Sequence, residues 1–208
     1  MTRNDDVLQS ILSPVRDLYL ARVLEEIVAA SHQNYDCDTD TERREQDGSL
    51  SRFGVLHLPQ RHDIRARRER RTVYYDVVDG QMMRFDTFTY KARLGGEAVI
   101  SPFQWNDLSV LFRLDGMPPN WLALRRWYLE SFQARFDESS PDFRGTVHSM
   151  SGPDKGLDGR WRLRIDLGSA PVEVVHDLVD MLTGMGARQV ELTSERPDIA
   201  TVDPVPQN

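Results

Sequence analysis

The chain has 208 residues, of which 39% are hydrophobic and 28% charged, and its formal net charge is −7 at pH 7. This length accommodates one domain or two small ones with a sizeable core. A net negative field repels phosphate, so non-specific binding to nucleic acid or to an anionic membrane is disfavoured. No apolar run approaches the roughly 20 residues that a membrane helix needs.

The numbers of cysteine and arginine residues indicate the cellular compartment of the protein and the kind of organism it comes from. Cys37 is the single cysteine, which excludes an intrachain disulfide and is typical of a reducing compartment. Residues 1–6 are polar and no apolar stretch follows them, so no secretory signal is predicted. Lys91 and Lys155 are the only lysines, and this dominance of arginine is typical of a GC-rich bacterial genome. We therefore expect a cytoplasmic bacterial protein.

The first third of the chain begins with a helix and continues with charged segments. Apolar residues at helical spacing predict an amphipathic helix over 7–31, with Pro14 marking a kink or a fresh start. Residues 32–51 are polar and acidic, and we interpret them as irregular. The basic run 61–71 is interpreted as an exposed loop or a short helix. Its arginines carry the opposite charge to the preceding acidic segment, so the two segments could pair.

The middle of the chain predicts strands and a second helix. Alternating apolar residues between turns over 72–114 predict an antiparallel meander. Asp79-Gly80 gives the strongest hairpin signal, with 82–93 as the returning strand. A helix is predicted over 120–137, and its aromatic side chains should anchor much of the core. A strand over 143–150 and a glycine-rich connection should follow.

The clearest pattern lies in residues 160–194. Apolar residues alternate, then recur at helical spacing, and then alternate again, which predicts a β-α-β unit. Ser169 precedes Pro171 at the start of the predicted helix, and its hydroxyl is expected to accept a hydrogen bond from a free amide of the first turn.

These elements predict an α+β fold made of an N-terminal helix, an antiparallel meander, an aromatic-rich helix and a C-terminal β-α-β unit. Residues 1–194 are interpreted as a single domain, with a sub-boundary left open near 115–119 or 139–142. The proline-containing tail 195–208 is expected to be disordered.

Histidines and one aspartate are the candidate catalytic residues. His148 falls on a predicted strand, Asp166 ends the next strand before a turn, and His176 lies one helical turn from Asp180. A crevice beyond the carboxyl end of a strand is where an α/β site is expected. The chain has no nucleophile elbow, phosphate loop or zinc-ligand spacing, so no cofactor and no metal are predicted.

Acidic residues and a tryptophan are the candidate binding residues. Asp36, Asp38 and Asp40 alternate as in a calcium loop, but Thr41 stands where such a loop needs glycine, so a solvated acidic loop is predicted instead. The neighbouring acids should raise the pKa of Cys37, which disfavours a thiol nucleophile. Trp127 lies off the main apolar side of its helix and is a candidate exposed anchor for a partner.

Two classes of function remain open from the sequence. The first is a soluble non-catalytic binding protein with an acidic protein-protein interface, of the inhibitor or immunity type, whose partner is a basic protein. The second is a small bacterial enzyme whose histidines and carboxylates are assembled only by the fold. Binding to nucleic acid or a membrane is not expected, and the oligomeric state is not determined by the sequence.

Overall fold

A computed structural model describes residues 3–78, 81–93, 95–115, 120–133, 143–195 and 200–202. Within these ranges the chain forms three helices and mostly antiparallel sheets, which is the α+β fold predicted from the sequence. The elements in chain order are α1 (Arg3–His32), β1 (Asp36–Glu42), β2 (Arg52–Phe53), β3 (Leu58–Pro59), β4 (Arg61–Arg68), β5 (Arg71–Tyr75), β6 (Gln81–Met83), β7 (Phe88–Lys91), β8 (Glu97–Ile100), β9 (Leu108–Arg113), α2 (Leu122–Gln133), β10 (Ser149–Lys155), β11 (Trp161–Asp166), α3 (Glu173–Gly184), β12 (Arg188–Thr193) and β13 (Ala200–Val202).

A six-stranded sheet with the order β10-β11-β9-β12-β8-β7 forms the centre of the molecule. Strands β11 and β12 both run antiparallel to β9, which lies between them, and α3 connects them. The predicted β-α-β unit is therefore confirmed, with β9 inserted between its two strands. Leu163 and Ile165 of β11 are at most 1% exposed because alternate residues of the strand face the core.

Helices α2 and α3 contribute large apolar side chains to this core. Four residues of α3 at helical spacing are fully buried: Val175, Leu178, Val179 and Leu182. On α2, Leu124, Tyr128 and Phe132 are at most 2% exposed, as expected for the aromatic side of the predicted helix. Residues 134–142, which the sequence assigned partly to this helix and partly to a break, lie outside the described residues.

A second sheet, of order β1-β4-β5, is built from the charged segments and corrects their interpretation. Residues 36–42 were expected to be irregular, and 61–71 a loop or short helix, but both form strands that pair antiparallel. In this register Asp36 lies opposite Arg67 and Asp38 lies opposite Arg65. The opposite charges of the two segments are therefore paired across the strands.

Helix α1 is continuous through Pro14, so no new helix starts there. Its buried side includes Leu8, Leu12 and Tyr19, each at most 1% exposed. The predicted apolar side extended to Leu24 and Val28, but these two residues are 39% and 55% exposed. The C-terminal half of α1 thus keeps apolar side chains at the surface of the described structure.

Three further expectations are changed by the strand pairing. Strand β6 pairs in parallel with β13 and not with β5, while the Asp79-Gly80 turn lies outside the described residues. Strand β10 begins at Ser149, later than expected, and continues through the segment that was interpreted as a connection. The tail contributes β13, and its remaining residues 196–199 and 203–208 lie outside the described residues.

Candidate functional site

His148 lies within a buried cluster of polar side chains. It precedes β10, and its backbone N–H donates to the Asp166 carbonyl at 3.0 Å. Imidazole Nε2 lies 2.6 Å from Oδ1 of Asp40 on β1, and Nδ1 lies 2.7 Å from Oδ1 of Asp63 on β4. These three residues are at most 2% exposed. The imidazole therefore connects the second sheet to the edge of the central sheet.

Asp40 adopts an unusual backbone conformation that accompanies its inward position. Its φ is +49°, in the left-handed region that is uncommon for residues other than glycine. Carboxylate Oδ2 accepts hydrogen bonds from Ser169 Oγ at 2.8 Å and from the Arg144 N–H at 2.5 Å. Since an ionised carboxylate only accepts hydrogen bonds, His148 Nε2 carries the proton in its bond to Asp40.

Asp63 is held from two sides. Its Oδ2 accepts the Val77 N–H at 2.5 Å, and its Oδ1 accepts the hydroxyl of Tyr19, which is 1% exposed on α1. The Tyr19 hydroxyl therefore connects α1 to β4 through a hydrogen bond inside the core. We refer to Tyr19, Asp40, Asp63, His148, Asp166 and Ser169 as the His148 centre.

Asp166 is the partly exposed member of the His148 centre. Its Oδ1 accepts the Gly168 N–H at 2.9 Å. Burial of the carboxyl group, together with the negative charge of Asp63, raises the pKa of Asp166 to about 8. Gly168 has φ +54°, and a Cβ there would lie 2.2 Å from Cδ2 of His148. Both the backbone conformation and the packed imidazole therefore require glycine at this position.

Burial and charge act in opposite directions on His148. Burial alone would lower its pKa, but the hydrogen bond to Asp40 and the negative charges of Asp40 and Asp63 raise that pKa well above its ordinary value. Burial would raise the pKa of Asp40, yet the bonds from His148 and other donors keep it below its ordinary value. Burial, with the charges of Asp166 and Asp63, raises the pKa of Tyr19 well above its ordinary value. Such a centre can hold an imidazolium between carboxylates, or bind a cation.

A layer of hydrogen bonds fixes the backbone around the centre. The Tyr128 hydroxyl donates to the Pro59 carbonyl at 2.5 Å and lies 3.2 Å from the His148 carbonyl. Nη1 of Arg61 donates to the Asp40 carbonyl at 2.7 Å, and its guanidinium lies 4.2 Å from the ring centroid of Phe132. Paired carbonyls of this kind reduce the cost of burying the polar backbone.

The acidic residues proposed from the sequence for binding have internal partners. Asp38 Oδ2 lies 2.5 Å from Nη2 of Arg65, and Asp36 Oδ2 lies 3.0 Å from Nη2 of Arg67. Asp40, the third of the series, points into the His148 centre. The solvated acidic loop expected here is instead a strand whose charges are matched within its own sheet.

Two other candidate residues lie in the core. Trp127 is 6% exposed, so its indole packs inside the core and is not an exposed anchor. His176 is 2% exposed, and its Nδ1 lies 2.8 Å from the Tyr90 hydroxyl. Of the candidate catalytic residues, the structure brings His148 and Asp166 together and places His176 elsewhere.

The sequence reasoning missed three members of the His148 centre. Asp63 stands in an arginine-rich run, where a carboxylate is expected to be a solvated counter-charge, and Tyr19 was counted as an apolar core residue. The predicted cap by Ser169 is not made, because its hydroxyl instead donates to Asp40 and accepts the Gly145 N–H at 3.0 Å.

The sequence predicted no metal site. In the structure, however, ligand atoms of Asp63, His148 and Asp166 lie within 4.8 Å of one another.

The clefts of the described surface include three that are lined by no member of the His148 centre. The cleft of about 410 Å³ lies between α1 and β1, and we refer to it as the α1–β1 cleft. Its lining combines apolar and polar side chains: Leu24, Ile27, Val28, Cys37, Asp38, Thr39, Phe143 and Arg144.

Comparison with known proteins gives no match to a protein family, to a curated protein or to a solved structure. Among the described helices, none combines the length and the apolar character required to cross a bilayer.

Proposed function

We propose that this protein is a non-catalytic binding protein that recognises a basic protein through the exposed side of α1. The observation that carries the proposal is the exposure of Leu24 and Val28, at 39% and 55%, beside the α1–β1 cleft. Exposed apolar side chains that border a concave surface are typical of interaction sites.

Charge supports the choice of a basic partner. Asp17 and Glu25 are exposed on α1, and their helical spacing places them on the same side as Leu24 and Val28. Glu25 also lies 2.6 Å from Nη1 of Arg22, a pair that is itself solvent-exposed and that a basic partner would have to compete with. We call these four residues the α1 stripe. Acidic groups around an apolar centre attract a positively charged partner and orient it during association. The net charge of −7 acts in the same direction at longer range.

The occupant that fits this surface is a basic segment that places one apolar side chain in the α1–β1 cleft. The finer proposal is an inhibitor or immunity-type protein of the bacterial cytoplasm, which neutralises its partner by complementary charge and shape. The burial of the His148 centre supports binding rather than catalysis, because a substrate cannot contact a side chain that is 2% exposed without local opening.

Affinity capture with the full chain tests this function. Wild-type bait should retain a basic protein, and the double variant Leu24→Asp/Val28→Asp should lose it. Leu122→Asp is the matched control, since Leu122 is 67% exposed on a different helix and the variant should retain the partner. Reversal of charge at Asp17 and Glu25 should also weaken capture, whereas reversal at the exposed residues Glu97 and Glu173 should not. Identical captured proteins for all variants would contradict the proposal.

A small enzyme is the second candidate, favoured by the assembly of His148 and Asp166 in one centre. Catalysis there would require an opening that admits substrate beside the partly exposed Asp166. A hydrolase panel on the wild-type protein and on Asp166→Asn separates the two candidates. An activity that is lost in this variant would favour the enzyme over the binding protein.

A further inference from the structure

One nitrogen of the His148 centre lacks a hydrogen bond. Nδ1 of His148 is buried and makes no hydrogen bond, although it lies 2.7 Å from Asp63 Oδ1. The contact is close but not aligned as a hydrogen bond. Leaving a buried polar atom without one costs free energy, so native proteins seldom do this. The nitrogen lies beside the Asp63 carboxylate, and Asp166 brings a second carboxylate into the same cluster, which is an arrangement that a bound cation would satisfy.

We propose that Asp63, His148 and Asp166 bind one divalent transition-metal ion. Their ligand atoms lie within 4.8 Å of one another. Metal bonds of about 2.1 Å place neighbouring ligand atoms roughly 3 to 3.5 Å apart. Small side-chain movements therefore suffice to seat an ion, which would take the place of the proton on Nδ1.

Each of the three ligands is already oriented through its other polar atom. His148 Nε2 donates to Asp40 at 2.6 Å, and Asp40 in turn accepts hydrogen bonds from Ser169 and a backbone amide. Asp63 Oδ2 accepts a backbone N–H at 2.5 Å, and Asp166 Oδ1 accepts another at 2.9 Å. Histidine ligands of metals almost always donate their second N–H in this way, which fixes the tautomer and the ring orientation.

The donor set indicates the class of ion. One imidazole with two carboxylates favours Zn²⁺ or Mn²⁺, whereas Mg²⁺ and Ca²⁺ prefer oxygen ligands alone. Metal binding releases the proton of Asp166, after which its carboxylate and that of Asp63 match the charge of a dication. Asp166 is the least buried residue of the centre, so an ion would enter from its side.

Metal titration of the chelator-stripped full chain tests the site. Isothermal titration should show one Zn²⁺ per chain with a Kd in the micromolar range or tighter, while Mg²⁺ should not compete. Asp166→Asn should weaken Zn²⁺ binding at least tenfold with an unchanged circular dichroism spectrum. The control is His57→Asn, which removes an exposed imidazole outside the centre at a position of φ +49° that asparagine tolerates, and should leave binding unchanged.

A second measurement needs no variant. The chain has five histidines, and nitrogen NMR should show that Zn²⁺ changes the Nδ1 resonance of the histidine whose Nε2 remains protonated and hydrogen-bonded, which is His148. Changes confined to other histidines would overturn the proposal. So would equal Zn²⁺ affinity in wild type and Asp166→Asn, or the absence of Zn²⁺ uptake at millimolar concentration.

Discussion

Asp40 and His148 are separated by 108 positions in the chain, yet Oδ1 of one lies 2.6 Å from Nε2 of the other. Both side chains are 2% exposed, and the same imidazole also contacts Asp63. The positive charge of His148 thus compensates the negative charges of Asp40 and Asp63 in the core. Removing one partner of a buried pair is costly because it leaves an uncompensated charge.

His148→Ala is therefore expected to destabilise the protein strongly. Loss of the imidazole leaves Asp40 and Asp63 buried without their cationic partner, which should lower the free energy of unfolding by about 3–5 kcal/mol. Urea unfolding of the chelator-stripped chain measures the change.

His62→Ala is the control for this experiment. The His62 side chain is 12% exposed, but its partner Asp76 is 50% exposed, so solvent can compensate the carboxylate and the loss should cost only about 1–2 kcal/mol. Equal losses in the free energy of unfolding for the two variants would show that His148 contributes no more to stability than His62 does.

Gly168→Ala should destabilise more than Gly186→Ala. Both glycines have positive φ, so alanine is strained at either position by about 1–2 kcal/mol. At Gly168 the new Cβ would also lie 2.2 Å from the imidazole, whereas nothing lies within 4 Å at Gly186. We expect a total loss of about 3 kcal/mol or more for Gly168→Ala. Similar midpoints in thermal unfolding would indicate that the imidazole can move away at little cost.

The Asp38–Arg65 pair should contribute only modestly to stability. The two side chains are 38% and 33% exposed, so solvent screens their attraction even at 2.5 Å. A double-mutant cycle of Asp38→Asn and Arg65→Gln should give a coupling free energy of about 0.5 kcal/mol. Asp38→Asn combined with Arg126→Gln on α2 should be additive. A coupling free energy near zero for Asp38–Arg65 would mean that the paired charges do not stabilise the second sheet.

Cys37 should react slowly with iodoacetamide near neutral pH. Burial and then the charges of Asp36 and Asp38 raise the pKa of the thiol, and only the thiolate reacts. The rate should therefore keep rising at pH values above those at which an ordinary cysteine has levelled off.

Asp36→Asn tests the electrostatic part of this effect. It lowers the pKa of Cys37 and should increase the alkylation rate severalfold at pH 8, while Glu97→Gln on β8 should not change it. An unchanged rate in Asp36→Asn would show that the charge of Asp36 does not contribute and would leave burial and Asp38 as the causes of the slow reaction.

The sequence predicted the fold better than it predicted the His148 centre. The β-α-β unit could be predicted because Leu163 and Ile165 are buried at alternate positions, and burial of that kind leaves a hydrophobic period in the sequence. Strand β1 was missed because its alternation is between charged and polar residues, so no hydrophobic period exists. This strand forms because it pairs with the arginine-rich strand β4. The sequence of one segment does not show which other segment it will pair with.

The centre shows the same limitation at the level of single residues. His148 was selected because it falls on a predicted strand and Asp166 because it ends one, and both are local signals. Asp63 has no such signal: its neighbours His62 and Ile64 do not distinguish it from a solvated acid. Its role follows from contacts with Tyr19 and His148, and these require the complete arrangement of α1, β4 and the segment before β10.

The scattered origin of the His148 centre also constrains how the sequence can diverge. A substitution of His148 alone would leave two buried carboxylates uncompensated, so it should be accepted only in a background that has already replaced Asp40 and Asp63 by uncharged residues. Proteins that descend from a common ancestor should therefore either carry Asp40, Asp63 and His148 together or have uncharged residues at all three positions. Relatives too distant for overall similarity would still be recognisable by this joint presence or joint loss.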